Sequence, residues 1–128
     1  MADYREKLDR VFSIYIRVLY ADFQGFVSCY TCELRLNWKE AQCGHFIRRN
    51  HSSVRFHKNN CRPQCNECNV TKSGMEDSFE EHLRDDLGDE EVDALIELGK
   101  KEKNYSDDEY KELIHFYKEQ LKEKGVII

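Results

Sequence analysis

The chain has 128 residues, with 20 basic and 25 acidic side chains and a formal net charge of −5. That length suits one domain spanning 1–128, and 35% charged against 40% hydrophobic residues implies a modest core under long solvated helices. No apolar run approaches the roughly 18–20 residues of a membrane span, and no apolar segment follows a basic start, so a cytoplasmic protein with no membrane partner is expected.

Residues 4–23 read as an amphipathic helix. Leu8, Val11, Phe12, Tyr15, Val18, Leu19 and Phe23 recur at spacings of three and four, and Gly25 ends the run. Residues 26–36 carry Cys29-Tyr30-Thr31-Cys32, a knuckle in a segment too short and polar for a larger element. Residues 41–47 and 53–57 read as two short strands joined by a turn at Asn50-His51-Ser52-Ser53. A second knuckle, Cys65-Asn66-Glu67-Cys68, opens a short helix from about Asn66 to Lys72, which Ser73-Gly74 breaks. Three helices follow. The first covers 76–87 and stops at Gly88. The second is capped by Asp89 and runs to about Lys101, with Val92, Leu95, Ile96 and Leu98 on its apolar side. The last starts at the capping box Ser106-Asp107-Asp108-Glu109 and runs to about Lys124. Its stripe of Tyr110, Leu113, Ile114, Tyr117 and Leu121 reads as core.

Cys29, Cys32, Cys65 and Cys68 form two i,i+3 pairs, the pattern of a tetrahedral zinc site, because each knuckle turns two sulfurs toward one point. In a reducing compartment such pairs signal metal more often than disulfide. Neither pair sits at a strand-to-helix turn of a βαβ unit, which argues against a thioredoxin-like redox site. A closed set of four sulfurs makes the zinc structural. It would staple the intervening 33–64 segment into one unit. Cys43 and Cys61 lie outside the knuckles and read as small packing residues, although either could join a zinc site.

Charge is distributed unevenly. Between Gly44 and Lys72 stand Arg48, Arg49, Arg55, Lys58, Arg62 and Lys72 against Glu67 alone, while residues 73–128 hold 18 acids and 8 basic residues. Positive charge is therefore concentrated where the zinc would hold it, as on a surface that meets phosphates. Arg48, Arg49, Arg55 and Lys72 are the candidate DNA contacts, with an internal structural role as the alternative for Arg55. The acidic helices read either as an outer face that avoids DNA or as a dimer surface.

Strand, turn, strand and a helix begun by a zinc knuckle is the layout of a ββα-metal nuclease on a treble-clef zinc support. The expected fold class is thus α+β, mainly α. It comprises an N-terminal helix over 4–23, a zinc-bound core over 26–74 and a helical tail over 75–128. His45 late in the first strand, Asn60 before the helix and Asn69 just after Cys68 resemble the His-Asn-His (HNH) nuclease motif with Asn in third place. Phosphodiester hydrolysis needs an activated water, a cation on the phosphate and charge relief at the leaving oxygen. His45 suits the general base, since a neutral imidazole is available near pH 7; a zinc ligand is its alternative role. Asn69 suits a ligand of catalytic Mg²⁺ or Mn²⁺, which favours oxygen donors and water. Asn60, the middle member of this candidate catalytic set, suits a brace of the loop. Many HNH nucleases place an acidic ligand where Gly44 stands here, so Gln42, Glu40, His51 and His57 are candidates for a second ligand.

A wider resemblance covers roughly residues 8–123. Gly44-His45-Phe46, Arg55-Phe56, the Asn60-to-Asn69 segment, Lys72-Ser73-Gly74, Leu87-Gly88 and Glu91-Val92-Asp93 appear in an order that resembles the NinG (Rap) recombination proteins of lambdoid phages. The resemblance implies a structure-selective endonuclease in the bacterial host's cytoplasm, acting on branched double-stranded DNA such as Holliday junctions and D-loops. Paired cuts would suit a two-fold homodimer. The competing expectation is a zinc-stabilised DNA-binding recombination module without catalysis; a weaker one is an adaptor using the helical tail.

Overall fold

In the computed structural model, which describes residues 3–128, the chain begins with α1, Tyr4–Leu19. The Asp3 carboxylate accepts the Glu6 N–H and caps the helix, whose inner face buries Leu8, Val11, Phe12, Tyr15 and Ile16. The helix stops four residues earlier than the periodicity predicts. The Asp22 carboxylate accepts the Gln24 and Phe26 N–H groups at 2.9 and 3.0 Å, a local turn that competes with helix. Phe23, expected on the apolar face, is left 96% exposed.

Residues 26–36, read from sequence as a bare knuckle, form most of a hairpin. β1 (Phe26–Ser28) pairs antiparallel with β2 (Arg35–Asn37), Val27 opposite Leu36, and the first knuckle lies between the two strands. Strands of three residues are too short for an alternation signal to register.

A second antiparallel pair follows, but not the predicted one. β3 (Gln42–His45) pairs with β4 (Cys61–Gln64), Cys43 opposite Pro63 and His45 opposite Cys61. Residues 53–57 are instead successive turns, with Val54 N–H donating to the His51 carbonyl and His57 N–H to the Val54 carbonyl. Proline is disfavoured within a sheet. It is tolerated because the Pro63 carbonyl faces away from β3, accepting from Tyr30 N–H at 2.9 Å. The missing N–H lies on that same outward side, so the ladder loses nothing.

Beyond β4, Glu67–Thr71 form a wide π-type turn where a short helix was expected. Ser73, Gly74 and Met75 all take positive φ and re-aim the chain. The remaining helices are α2 (Glu76–Leu87), α3 (Asp89–Gly99) and α4 (Asp107–Glu123). Gly88 rather than Asp89 caps α3; Asp89 is its first helical residue and pairs with Arg84 at 3.0 Å. The Ser106–Glu109 capping box is formed reciprocally.

Two apolar clusters set these pieces around the strand pair. In one, α1 packs on α4 through Phe12, Tyr15, Tyr117 and Leu121, with Phe56 joining from the loop. The rest of the α4 stripe, Tyr110, Leu113 and Ile114, packs half-buried against it. In the other, α2 and α3 close over Phe46 and Val54 through Phe79, Leu83, Val92 and Leu95. The loop after β3 is thereby pinned to both clusters, which fixes His45 and the arginines behind it. No described helix is long and apolar enough to cross a membrane.

Candidate metal centre and phosphate groove

The two knuckles converge. The sulfurs of Cys29, Cys32, Cys65 and Cys68 all lie within 4.8 Å of one another, and those of Cys32 and Cys65 are 3.7 Å apart. A tetrahedral zinc with Zn–S bonds of ~2.3 Å spaces its sulfurs about 3.8 Å apart, so the donor set fits a structural metal such as zinc. Burial raises the Cys29 thiol, but the N–H groups of Cys65, Thr31 and Cys32 and the Thr31 hydroxyl outweigh it and bring it to about 6. The Leu34 N–H lowers Cys32, yet burial and the three neighbouring sulfurs push it to about 12, so a metal must displace that proton.

Gln64 ties this centre to the strand pair. Fully buried, it donates from Nε2 to the Thr31 hydroxyl and the Gly74 carbonyl, both at 3.0 Å. Its Oε1 lies over Gly44, where a Cβ would sit 2.0 Å from that oxygen. The glycine is thus required by close packing within the fold. The space above it is filled by Gln64 and is not a path for phosphate.

Beside the centre runs a groove of about 660 Å³ whose walls include Gln42, His45, Arg48, Arg49, Asn69 and Glu76. His45 is carried on β3 and Asn69 on the π-type turn. The cysteine knuckle thus brings together two residues 24 positions apart in sequence. His45 Nε2 lies 2.9 Å from the Arg55 carbonyl. A carbonyl only accepts, so Nε2 carries the proton and Nδ1 of the neutral ring keeps its lone pair. Burial lowers the His45 pKa first. The Arg49 cation adds to this, while the Arg55 and Cys43 carbonyls and Asp9 oppose it. Desolvation is thus the larger cause, ahead of the basic neighbour.

Asn69 Nδ2 donates to Gln42 Oε1 at 2.7 Å, which leaves the Asn69 carbonyl oxygen as an oxygen donor at the groove. Of the residues considered as its companion ligand, Gln42 is the one at hand. His51 donates to the Gly99 carbonyl at the end of α3, and His57 accepts the Asn59 N–H. Magnesium accepts a shell made mostly of water, so one amide oxygen with the Glu76 carboxylate nearby fits a hydrated hard cation.

The remaining predicted residues divide by environment. Asn60 is fully buried. It accepts from Ile47 N–H at 2.8 Å and donates to the Ile47 and Val54 carbonyls at 2.9 and 3.1 Å, bracing the loop over 47–54. Arg48 and Arg49 are exposed on the groove wall, and Lys72 is exposed three residues after Asn69. Arg55 is held by both carboxylate oxygens of Asp9, with its side chain only 16% exposed, which supports its internal role. Arg62, from the same basic run, is buried with its guanidinium over Tyr20 and Tyr30.

Sequence reasoning missed Arg17, Asp9 and Gln64. Arg17 reaches from α1 into the groove wall by donating to the Trp38 and Ala41 carbonyls. Nothing local distinguishes these three from ordinary solvated side chains.

The model of the family described as Bacteriophage Lambda NinG protein matches residues 1–125. No curated protein and no solved structure matches the chain.

Proposed function

The chain belongs to the NinG family of bacteriophage lambda, and from that premise we propose a structure-selective DNA endonuclease that hydrolyses phosphodiester bonds in branched recombination intermediates. The observation that carries this reading is that His45 and Asn69 meet in one groove with Arg48 and Arg49. A strand pair followed by a turn at a cysteine knuckle supports an HNH-like core on a structural zinc held by Cys29, Cys32, Cys65 and Cys68.

The roles follow from the side chains. Arg48 and Arg49 hold the backbone phosphate in the groove, and Lys72 extends positive charge toward a neighbouring one. Such contacts position DNA without reading bases, so selectivity rests on the shape of a branch. His45 takes a proton from water through Nδ1. Burial keeps it neutral near pH 7, and the Arg55 carbonyl fixes its tautomer. Asp9 acts indirectly, holding the side chain of Arg55, whose backbone carbonyl orients the ring. Asn69, with Gln42 steadying its amide, would hold Mg²⁺ or Mn²⁺; when bound, that ion supplies positive charge to the phosphate and leaving oxygen. The groove arginines outnumber its carboxylates, so phosphate and cation are expected to enter together.

A second reading draws on the Asn69–Gln42 hydrogen bond, because a carboxamide pair satisfied by itself is a weak cation site. It makes the protein a zinc-stabilised DNA-binding recombination module. Incubation with branched and linear duplexes, with Mg²⁺ or with EDTA mild enough to leave zinc in place, separates the two. Cleavage of the branched duplex that needs Mg²⁺ supports the enzyme. Retarded migration with no cleavage supports the module. Equal cleavage of linear DNA, or full activity in EDTA, contradicts the proposed mechanism.

A further inference from the structure

Cys43 and Cys61 lie outside the four-cysteine set and remain unused by the groove chemistry. Cys61 stands opposite His45 in the β3–β4 ladder, and Cys43 precedes His45 by two residues. Residues two apart on a strand share a face, and directly paired residues across a ladder share one as well. All three side chains therefore gather on one side of the strand pair. The two sulfurs and one imidazole nitrogen lie within 4.8 Å of one another.

This cluster differs in chemistry from the oxygen donors at Asn69. Two thiols and an imidazole select zinc, cobalt or another thiophilic ion over magnesium. Cys43 and His45 line the groove while Cys61 is fully buried behind them. An ion would enter from the groove and keep its fourth position toward water. The His45 Nε2–H already donates to a backbone carbonyl, the arrangement that orients a metal-binding imidazole. A tetrahedral zinc spaces its sulfurs about 3.8 Å apart, a separation that lies inside the 4.8 Å bounding this cluster.

We infer that Cys43, His45 and Cys61 form a second metal site for a thiophilic divalent ion, and that filling it withdraws His45 from the groove. The second half of this inference rests on the endonuclease reading; the metal site does not. Zinc beyond one equivalent would then act as an inhibitor, whereas magnesium would leave the cluster empty.

The test takes full-length protein carrying one zinc per chain and titrates it with Co²⁺ under anaerobic, thiol-free conditions. Both metals are counted after desalting, and the visible thiolate–cobalt bands are recorded. The expected result is one retained zinc plus one cobalt, with a charge-transfer band that disappears in Cys43→Ala. Cys43→Ser serves as a second variant should the alanine protein lose its helical circular dichroism. A total of one metal under excess Co²⁺ overturns the site. So does cobalt that merely replaces zinc, or a second cobalt that survives in both Cys43 variants. In a parallel cleavage assay, a second equivalent of zinc should lower Mg²⁺-dependent cutting about a hundredfold, as for loss of a general base, with no such inhibition of Cys43→Ala. If no condition gives cleavage, the endonuclease reading fails while the metal count still decides the site.

Discussion

Helices α1 and α4 meet through Leu8, Phe12, Tyr15, Tyr117 and Leu121, whereas the segment from Phe26 to Gly74 buries Asn60, Arg62 and Gln64 beside three of the knuckle cysteines. The first region is held by apolar area and ring packing, with Tyr15 and Tyr117 centroids 4.7 Å apart. Such a core tolerates volume-conserving exchange and owes nothing to a metal. The second forms little apolar core of its own, lending Phe46, Val54 and Phe56 to the helical clusters, and depends on specific donors and acceptors, each expensive to leave unpaired. The difference separates two tasks: the helices supply a platform, and the polar, cysteine-rich insert sets the geometry of the groove.

The largest effect should come from the metal centre. Structural zinc contributes on the order of 10–16 kcal/mol in small peptides. Cys65→Ser is therefore expected to lose zinc and to leave 26–74 unprotected in amide hydrogen exchange, while α1 and α4 keep more protection. Equal loss in both regions would mean that the platform cannot stand without the insert. Phe12→Ala inverts the experiment. It should cost about 3–5 kcal/mol in chemical denaturation with zinc content unchanged, and zinc loss at native conditions would show the two regions to be one cooperative unit.

Within the insert, Asn60→Ala removes three hydrogen bonds of about 0.5–1.5 kcal/mol each. We expect a loss of about 2–4 kcal/mol, zinc retained, and the loop carrying Arg48 and Arg49 loosened in hydrogen exchange. A loss below about 1 kcal/mol would remove Asn60 as the brace. The smallest effect is on pH. His45 and His57 both titrate below their ordinary value because burial disfavours their charged forms. The unfolded chain takes up protons first as pH falls past about 6.5, so stability is full above that pH and declines below it. Denaturation midpoints that rise on acidification from pH 7 to 5.5 would contradict this sign.

The sequence was most readable where signals are local. Knuckle spacing located the four sulfurs, and the Ser106 capping box and α4 stripe located the last helix and its buried face. It was least readable where pairing is non-local. β4 spans only four residues, too few for a local strand pattern, whereas 53–57 reads from sequence as the partner of 41–47 through the turn at Asn50-His51-Ser52-Ser53. Gly44 could be noticed but not explained, because the Gln64 side chain that requires it arrives from a strand 20 residues away. Phe23 completed a periodic pattern, yet the Asp22 turn ended the helix before reaching it. Arg55 carried two readings from sequence, a phosphate contact or an internal structural role, and the Asp9 carboxylate, 46 positions away in the chain, decides for the second.

The proposed chemistry depends most directly on His45. Wild-type protein and His45→Ala should be compared on a branched duplex with Mg²⁺ between pH 5.5 and 8, with zinc counted in both. The wild type should cut, with the acid limb of its rate falling below about pH 6.5 because the base form is favoured by burial. The variant should lose at least about a hundredfold in cleavage, keep its structural zinc and still retard the branched duplex on a gel. Unchanged cleavage by His45→Ala would contradict the central claim and take the groove's base out of the mechanism.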